Sequence, residues 1–443
     1  MIKKVHFLNM CFLAALIITA QAETMPRTLS LKDALEIAQQ RDIRFILSDE
    51  RVNQAISRIA QSRAPLLPQV SIDVSQKRQT RDLRTAGIEM PGDPLVGPFN
   101  TFDARIKLTQ MIFDAGTVNR LKTAQAQGAL SVAERRKVEE DVLVLIAQLY
   151  IDARRSIQTA DFAKTMVERD LKKLDIAKSR LENGIGSDID VRQAKTAYDT
   201  ALSFQQQVYM HAVESRLDLL AALGLSLDDT IQFIDDNGIN FPEPEENIQT
   251  SFEELPDIQV AKQQLRFSEA QLESQRSEYL PNISGIADFG PSGIDPSDTN
   301  NTFTVGVQAS LPIFDGGLRR AQVDEAISQV KYDQANLNHN EFQFQAKIIK
   351  ARELFEQTQF IFIEKTSRQE MTQQELLLVQ QRVKDGTATE IELLEAIALD
   401  AQARNDADEA KAAVLTAQIN WNHALGKLSD VLNESIKPQE NHP

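Results

Sequence analysis

The sequence predicts a mainly α-helical chain with a small β part, built as two copies of one unit. Three observations lead there. Short landmarks recur in the same order in both halves, apolar residues keep a helical 3-4 spacing over very long stretches, and a few short segments alternate apolar with polar residues.

The repeat fixes the domain organisation. Leu67-Pro68-Gln69-Val70 returns as Leu280-Pro281-Asn282-Ile283, and Phe113-Asp114-Ala115-Gly116 as Phe314-Asp315-Gly316-Gly317. Arg180-Leu181-Glu182-Asn183-Gly184 is matched by Arg382-Val383-Lys384-Asp385-Gly386, and Ala222-Leu223-Gly224 by Ala424-Leu425-Gly426. The offset is 201 between Phe113 and Phe314, and 202 both between Gly184 and Gly386 and between Gly224 and Gly426; it is 213 between Pro68 and Pro281. The first half therefore carries extra residues before its Phe-Asp landmark, around Gly87 to Pro94, where the composition is that of a loop. The division that follows is a leader over 1–22, a first repeat over 23–224, a linking region over 225–253, a second repeat over 254–428 and a disordered tail over 429–443.

Residues 1–22 read as a secretory signal peptide. Lys3 and Lys4 open it, Phe7 to Ala20 is apolar, and Ala20-Gln21-Ala22 is a small-x-small cleavage site. After a first helix, Val70, Ile72 and Val74 alternate with polar neighbours, as do Phe102, Ala104, Ile106 and Leu108. The second half repeats the pattern at Phe303, Val305, Val307, Ala309 and Leu311, whereas Ile286 makes the segment after Pro281 ambiguous. Strands of about ten residues are expected, with long polar hairpin tips over Arg81–Asn100 and Gly290–Asn301. Their apolar faces need a packed core or lipid, and four strands are too few to close a barrel within one chain.

The long helices follow. From Leu143 the seam runs through Ile146, Tyr150, Ala153 and Ile157 to Leu181, interrupted only by Lys164 and Lys178. Beyond Gly184 it resumes at Val191, Ala194, Tyr198 and Ala201; in the second half it runs from Ile391, with Asn405 and Asp408 as polar breaks. Segments 117–182 and 318–383 hold no Pro and, apart from Gly128, no Gly. Each can therefore reach on the order of 100 Å at about 1.5 Å per residue. Sustained heptads with Ala on the seam predict coiled coils at close approach.

Composition removes several functions. With 48 Lys+Arg against 64 Asp+Glu and a net charge of −16, nucleic acid is not a partner. One Cys, inside the leader, excludes a disulfide scaffold, and 42% hydrophobic residues with 25% charged argue against disorder throughout. His211, His339, His423 and His442 have no ligand partner at helical spacing, and no phosphate-cradling loop or nucleophile elbow occurs. No enzyme, metal site or cofactor is expected.

The order of elements, the duplicated halves, Ala64-Pro65-Leu66-Leu67-Pro68 and the Phe-Asp-x-Gly turns at Phe113 and Phe314 closely resemble the TolC-like outer membrane efflux family, from about Leu29 to Leu428. The resemblance implies a homotrimer in which each protomer gives four strands to a twelve-stranded transmembrane β-barrel in outer-membrane lipid. Below it, a coiled-coil α-helical barrel extends through the periplasm, wrapped by an equatorial region that takes in 225–253. The function implied is the outer-membrane channel-tunnel of a tripartite export system, a passive exit duct for small molecules and drugs or for type I secreted proteins. It is opened by a periplasmic adaptor docking with an inner-membrane pump or ABC transporter. A periplasmic coiled-coil adaptor or tether without a pore would also explain leader and heptads, but not the duplicated strands.

Two tight turns, Asn183-Gly184-Ile185-Gly186 and Asp385-Gly386-Thr387-Ala388, place Gly where a helix stops in the left-handed conformation. The resemblance makes them the periplasmic tip, with Gly184, Ile185, Gly386 and Thr387 as adaptor contacts. It makes Glu392 and Glu395 the acidic rings of a constricted entrance, and Asp190 a latch residue of the gate. Repeated threefold, Glu392 and Glu395 concentrate six carboxylates whose repulsion is expected to raise some of their pKa values and to favour cation entry or divalent-cation block. The sequence departs from the family pattern at the latch. Ala388 stands in place of an Arg and Val383 in place of an aromatic, leaving Arg382 and Lys384 as candidate partners for Asp190.

Overall fold

The computed structural model describes residues 27–87, 91–92, 94–234 and 254–436; the leader assigned to 1–22 and most of the linking region 225–253 lie outside them. The first half comprises β1 (Arg27–Leu29), α1 (Leu31–Arg41), α2 (Ile43–Arg63), β2 (Gln69–Asp82), β3 (Leu95–Phe113), α3 (Ala115–Glu182) and α4 (Asp188–Ala222). After β4 (Ile231–Phe233) the second half follows with α5 (Pro256–Ser277), β5 (Asn282–Asp295), β6 (Asp298–Ser310), α6 (Leu318–Lys384), α7 (Glu390–Ala424) and α8 (Leu428–Ile436).

The duplication is metric as well as topological. α3 has 68 residues and α6 has 67, while α4 and α7 have 35 each. Local chemistry sets these ends. Asp114 caps α3 by accepting the Thr117 N–H at 3.0 Å, and α1 opens with a Ser30/Asp33 capping box. At the other ends, Gly184, Gly224, Gly386 and Gly426 take φ of 73°, 62°, 72° and 62°. Around Gly184 the Ile185 N–H reaches the Arg180 carbonyl at 3.0 Å and the Gly184 N–H reaches that of Leu181 at 3.0 Å. This pair of bonds satisfies carbonyls that the helix end leaves open, and it recurs at each of the other three glycines.

The long helices form one layer. α3 packs against both α4 and α7, and α7 packs against α6, giving the order α4-α3-α7-α6; α5 bridges α3 and α6, and α2 lies along α3. Of the seam predicted on α7, Leu394, Ala398 and Ile419 are buried while Ala401 and Ala412 are half-buried, and Ala396, Ala403, Ala407, Ala410 and Ala417 are buried beside it. The polar break of that seam at Asn405 and Asp408 lines a groove of about 370 Å³ against Asp161 and Phe162 of α3. Among the described residues no helix is long and apolar enough to cross a membrane.

β2-β3-β5-β6 form a single antiparallel sheet. The register puts Ile72 opposite Ile106, Val74 opposite Ala104, Ala287 opposite Val305 and Phe289 opposite Phe303. One face is thus apolar and stands open, with Ile72 74% and Phe303 76% exposed. The strands run to 14, 19, 14 and 13 residues, longer than the sequence pattern indicates. The ambiguous segment after Pro281 is strand β5, and Ile286 sits on its polar face, paired with Thr109 and Gly306. The long second tip is absent: β5 continues to Asp295, which accepts the N–H groups of Ser297 and Asp298 to close a tight turn before β6. Polar side chains at Gly290–Asn301 extend the ladder rather than ending it, because only one sheet face is apolar. In the first hairpin the connection shrinks to 83–94, beginning with a 3-10 turn at Leu83–Ala86.

Apolar burial concentrates midway along the helices. Leu29, Leu35, Leu143, Ile146, Tyr150, Leu219, Leu220 and Leu223 form the main core, and a smaller cluster gathers Leu255, Ile258, Ile348 and Trp421. β1 pairs in parallel with β4, which places the start of the linking region beside the first repeat. Tyr150 fixes this junction: its hydroxyl donates to the Leu29 carbonyl at 3.1 Å and the Ile234 carbonyl at 3.3 Å, and Phe233 meets its ring edge-on at 5.2 Å. The tail assigned to 429–443 is corrected for its first part. α8 occupies Leu428–Ile436 and buries Leu428, Val431 and Leu432 in the main core. Its apolar residues are only a short set before a polar end, which is why composition alone hides it.

Candidate functional site

The two helix reversals lie at 183–187 and 385–389, at the ends of helices of matched length. Both turns are exposed. Ile185 is 78% exposed and Ile189, the second residue of α4, 65% exposed, so the first tip presents two apolar side chains to solvent. Gly184 and Gly386 have open space where a Cβ would stand, so their glycine is required by φ and not by crowding. Thr387 is held from two sides: its hydroxyl donates to the Arg382 carbonyl at 3.1 Å, and Arg382 Nη2 donates back to the Thr387 carbonyl at 3.2 Å.

Asp190 and Glu392 occupy the same place in the two repeats, the third position of α4 and of α7. Asp190 accepts the Ser187 N–H at 3.1 Å while Ser187 Oγ accepts the Asp190 N–H at 3.2 Å, a complete capping box. Thr389 likewise accepts the Glu392 N–H at 3.2 Å. The pattern Ser/Thr-x-x-Asp/Glu is legible in the sequence at both points and gives these carboxylates a local helix-starting role. The pairing of Asp190 with Arg382 or Lys384 is not formed within the protomer. Arg382 instead meets Glu392 at 3.6 Å, because both lie on the α6–α7 hairpin while Asp190 belongs to the other pair.

Glu395 faces Lys173 of α3 at 3.3 Å. Glu392 and Glu395 therefore each meet a cation, one within its own hairpin and one across to the first repeat. Sequence spacing picks out the acids and misses both pairings: it assigns Arg382, just across the turn from Glu392, to Asp190, and Lys173 lies 222 residues from Glu395. Above the first tip, Phe162, Met166, Ile189, Ala197 and Phe204 line a groove of about 790 Å³ between α3 and α4.

The sheet carries a second constellation. Its polar face bears Asp73, Lys77, Asp103, Arg105, Lys107 and Asp288. Lys107 Nζ lies 3.1 Å from Asp73, and Arg105 bonds Asp288 on β5, approaches Asp103 at 3.5 Å and donates to Thr302 on β6 at 2.9 Å. The signal in the sequence is charge of both signs at alternate strand positions.

The model of the family described as outer membrane efflux protein matches residues 35–225 and 247–427, taking in both repeats. Over 307 residues the chain is 25% identical to the toluene efflux pump outer membrane protein TtgF of Pseudomonas putida, covering 66% of this chain and 60% of that relative. Over 423 residues it is 20% identical to the alkaline protease secretion protein AprF of Pseudomonas aeruginosa, covering 91% of this chain and 85% of AprF. Among solved structures, the CmeC outer membrane channel of Campylobacter jejuni superposes with a TM-score of 0.77 at 15% identity, over 92% of this chain and 89% of CmeC. VceC of Vibrio cholerae gives 0.74 at 17% identity, over 89% and 96%. These likenesses establish the fold of a helical barrel joined to a β-barrel. The chain belongs to the outer membrane efflux protein family, seated in the outer membrane with its helices extending into the periplasm.

Proposed function

We propose that three copies of this chain close into a passive export duct, through which small molecules or secreted proteins leave when an adaptor and an inner-membrane pump engage the helical tips. One observation carries the reading: both layers of the protomer are open segments of a wall. Among the described residues the sheet ends in two unpaired edges, β2 and β6, and the helical layer ends in α4 and α6. Long unpaired edges are templates for another copy, and a barrel removes them. The exposed apolar sheet face suits lipid, and α6 exposes Phe342, Ile349, Phe360 and Ile363 where a neighbouring copy would pack.

The threefold number rests on the family resemblance. Relatives named for toluene efflux and for protease secretion support both cargo classes. The adaptor reading of this chain itself is not favoured, because the matched family takes in both repeats with their strands.

In the duct, Ile185 and Thr387 with their glycines form the docking rim, and Glu392 and Glu395 face the entrance beside Asp190. Single-channel recording of the purified protein in a planar bilayer tests this. Wild type is expected to conduct with a cation preference that falls in Glu392→Gln/Glu395→Gln, where Arg382 and Lys173 lose their counter-charges. A pore indifferent to the change would keep the duct and discard the entrance; no conductance from inserted protein would discard the duct.

A further inference from the structure

Six charged side chains share the polar face of the sheet between its helical end and its bulges. Three are acidic, Asp73, Asp103 and Asp288, and three are basic, Lys77, Arg105 and Lys107. They interdigitate. Asp73 stands opposite Arg105 and beside Lys107 across the β2–β3 pair, and Lys107 stands opposite Asp288 across β3–β5. Arg105 is the hub, bound to Asp288, close to Asp103 and hydrogen-bonded to Thr302, so that one guanidinium spans β3, β5 and β6. The opposite face is the apolar one, so in a closed barrel all six look into the lumen.

We propose that this ladder is a charge-neutral filter in the outer-membrane part of the duct, with Arg105 as the residue that keeps it from selecting cations. The inference rests on the duct reading. A ring of one sign in a low-dielectric wall focuses potential and concentrates counter-ions. Here each charge has an opposite one within ion-pair distance or at the next position on the face, well inside the screening length of about 8 Å at physiological salt. The barrel therefore passes anionic and cationic cargo alike, and discrimination falls to the periplasmic entrance. Bidentate geometry makes Arg a better hub than Lys, since its planar fork serves several acceptors at once.

The test is the reversal potential of single channels in a potassium chloride gradient. Arg105→Gln leaves three acidic against two basic side chains on this face in every protomer and is expected to shift permeability towards cations. Asp288→Asn is expected to shift it towards anions, and the double variant to return to wild type. Should Arg105→Gln fail to insert, Lys107→Gln and Asp73→Asn provide the same opposed pair on β3 and β2. Shifts of opposite sign support the filter. Conducting variants that all keep the wild-type reversal potential overturn it and leave the duct intact, whereas wild-type protein that inserts without conducting overturns the duct itself.

Discussion

Glu140 of α3, 2% exposed, accepts hydrogen bonds from both the N–H and the hydroxyl of Ser429, at 3.0 and 2.6 Å, and its second oxygen takes the Leu428 N–H at 3.1 Å. A side chain from the first repeat thus caps the last helix of the second. Glu140→Gln would turn an amide towards one of those donors and leave it unsatisfied in the core. The expected cost is about 1–3 kcal/mol. Hydrogen exchange over 428–436 should accelerate before the rest of the protein, and unchanged protection there would refute the assignment.

Asp141 and Glu139 are expected to move stability with pH in opposite directions. Burial alone would raise the Asp141 carboxyl, but the His423 hydrogen bond at 3.1 Å and the nearby Lys137 ammonium hold it below the ordinary aspartate range. Its contribution is present above the unfolded value and lost as pH falls through the lowered folded one. Burial raises Glu139, against which Arg135 works; its contribution is present at low pH and lost as pH rises through the raised value. Asp141→Asn should flatten the acid limb of a plot of unfolding midpoint against pH, and Glu139→Gln should lift the neutral side. Trp421, buried and the one Trp in the sequence, reports the transition two residues from His423. Curves parallel to wild type for both variants would rule this out.

Gly224 and Gly426 are repeat-related helix stops with the same φ of 62°, yet their surroundings differ. A Cβ at Gly224 would meet nothing within 4 Å, whereas one at Gly426 would sit 2.3 Å from Pro256 Cδ. Gly224→Ala should cost about 1–2 kcal/mol from the left-handed backbone alone. Gly426→Ala adds a clash with a ring that cannot swing aside, and it should lower the unfolding midpoint well beyond Gly224→Ala. Equal midpoints would mean that α5 shifts freely at Pro256.

Tyr150→Phe keeps the ring against Phe233 and removes the hydroxyl that serves two carbonyls. A loss of about 1–2 kcal/mol is expected, with faster exchange confined to 27–29 and 231–234. Uniform loss of protection across α3 would instead indicate a packing role.

Much of this architecture is legible in the sequence, for reasons that particular residues make plain. The four glycine stops and the two Phe-Asp turns are demands of the backbone, so they survive duplication and can be read directly. Strand alternation at Phe102–Leu108 reports a sheet with one apolar face, whatever covers it. What escapes is whatever depends on distant partners. Glu395 meets Lys173 only because α3 and α7 adjoin, and Asp190 finds its partner three residues away at Ser187 and not at Arg382. Similarly, α8 looks like a polar tail until Glu140 supplies the cap that makes its short apolar set worth burying.

The matched helix lengths amount to a ruler. Because α3 and α6 agree to within a residue, and α4 and α7 agree outright, the two reversals finish level with each other. Seven residues inserted into α3 alone would keep its seam in phase but push one tip out by about 10 Å and offset α3 from α4 by about two turns. The same insertion in all four helices would preserve both phase and rim. Reach into the periplasm can therefore change only by coordinated heptads, so the length of the helical layer moves in steps of about 10 Å.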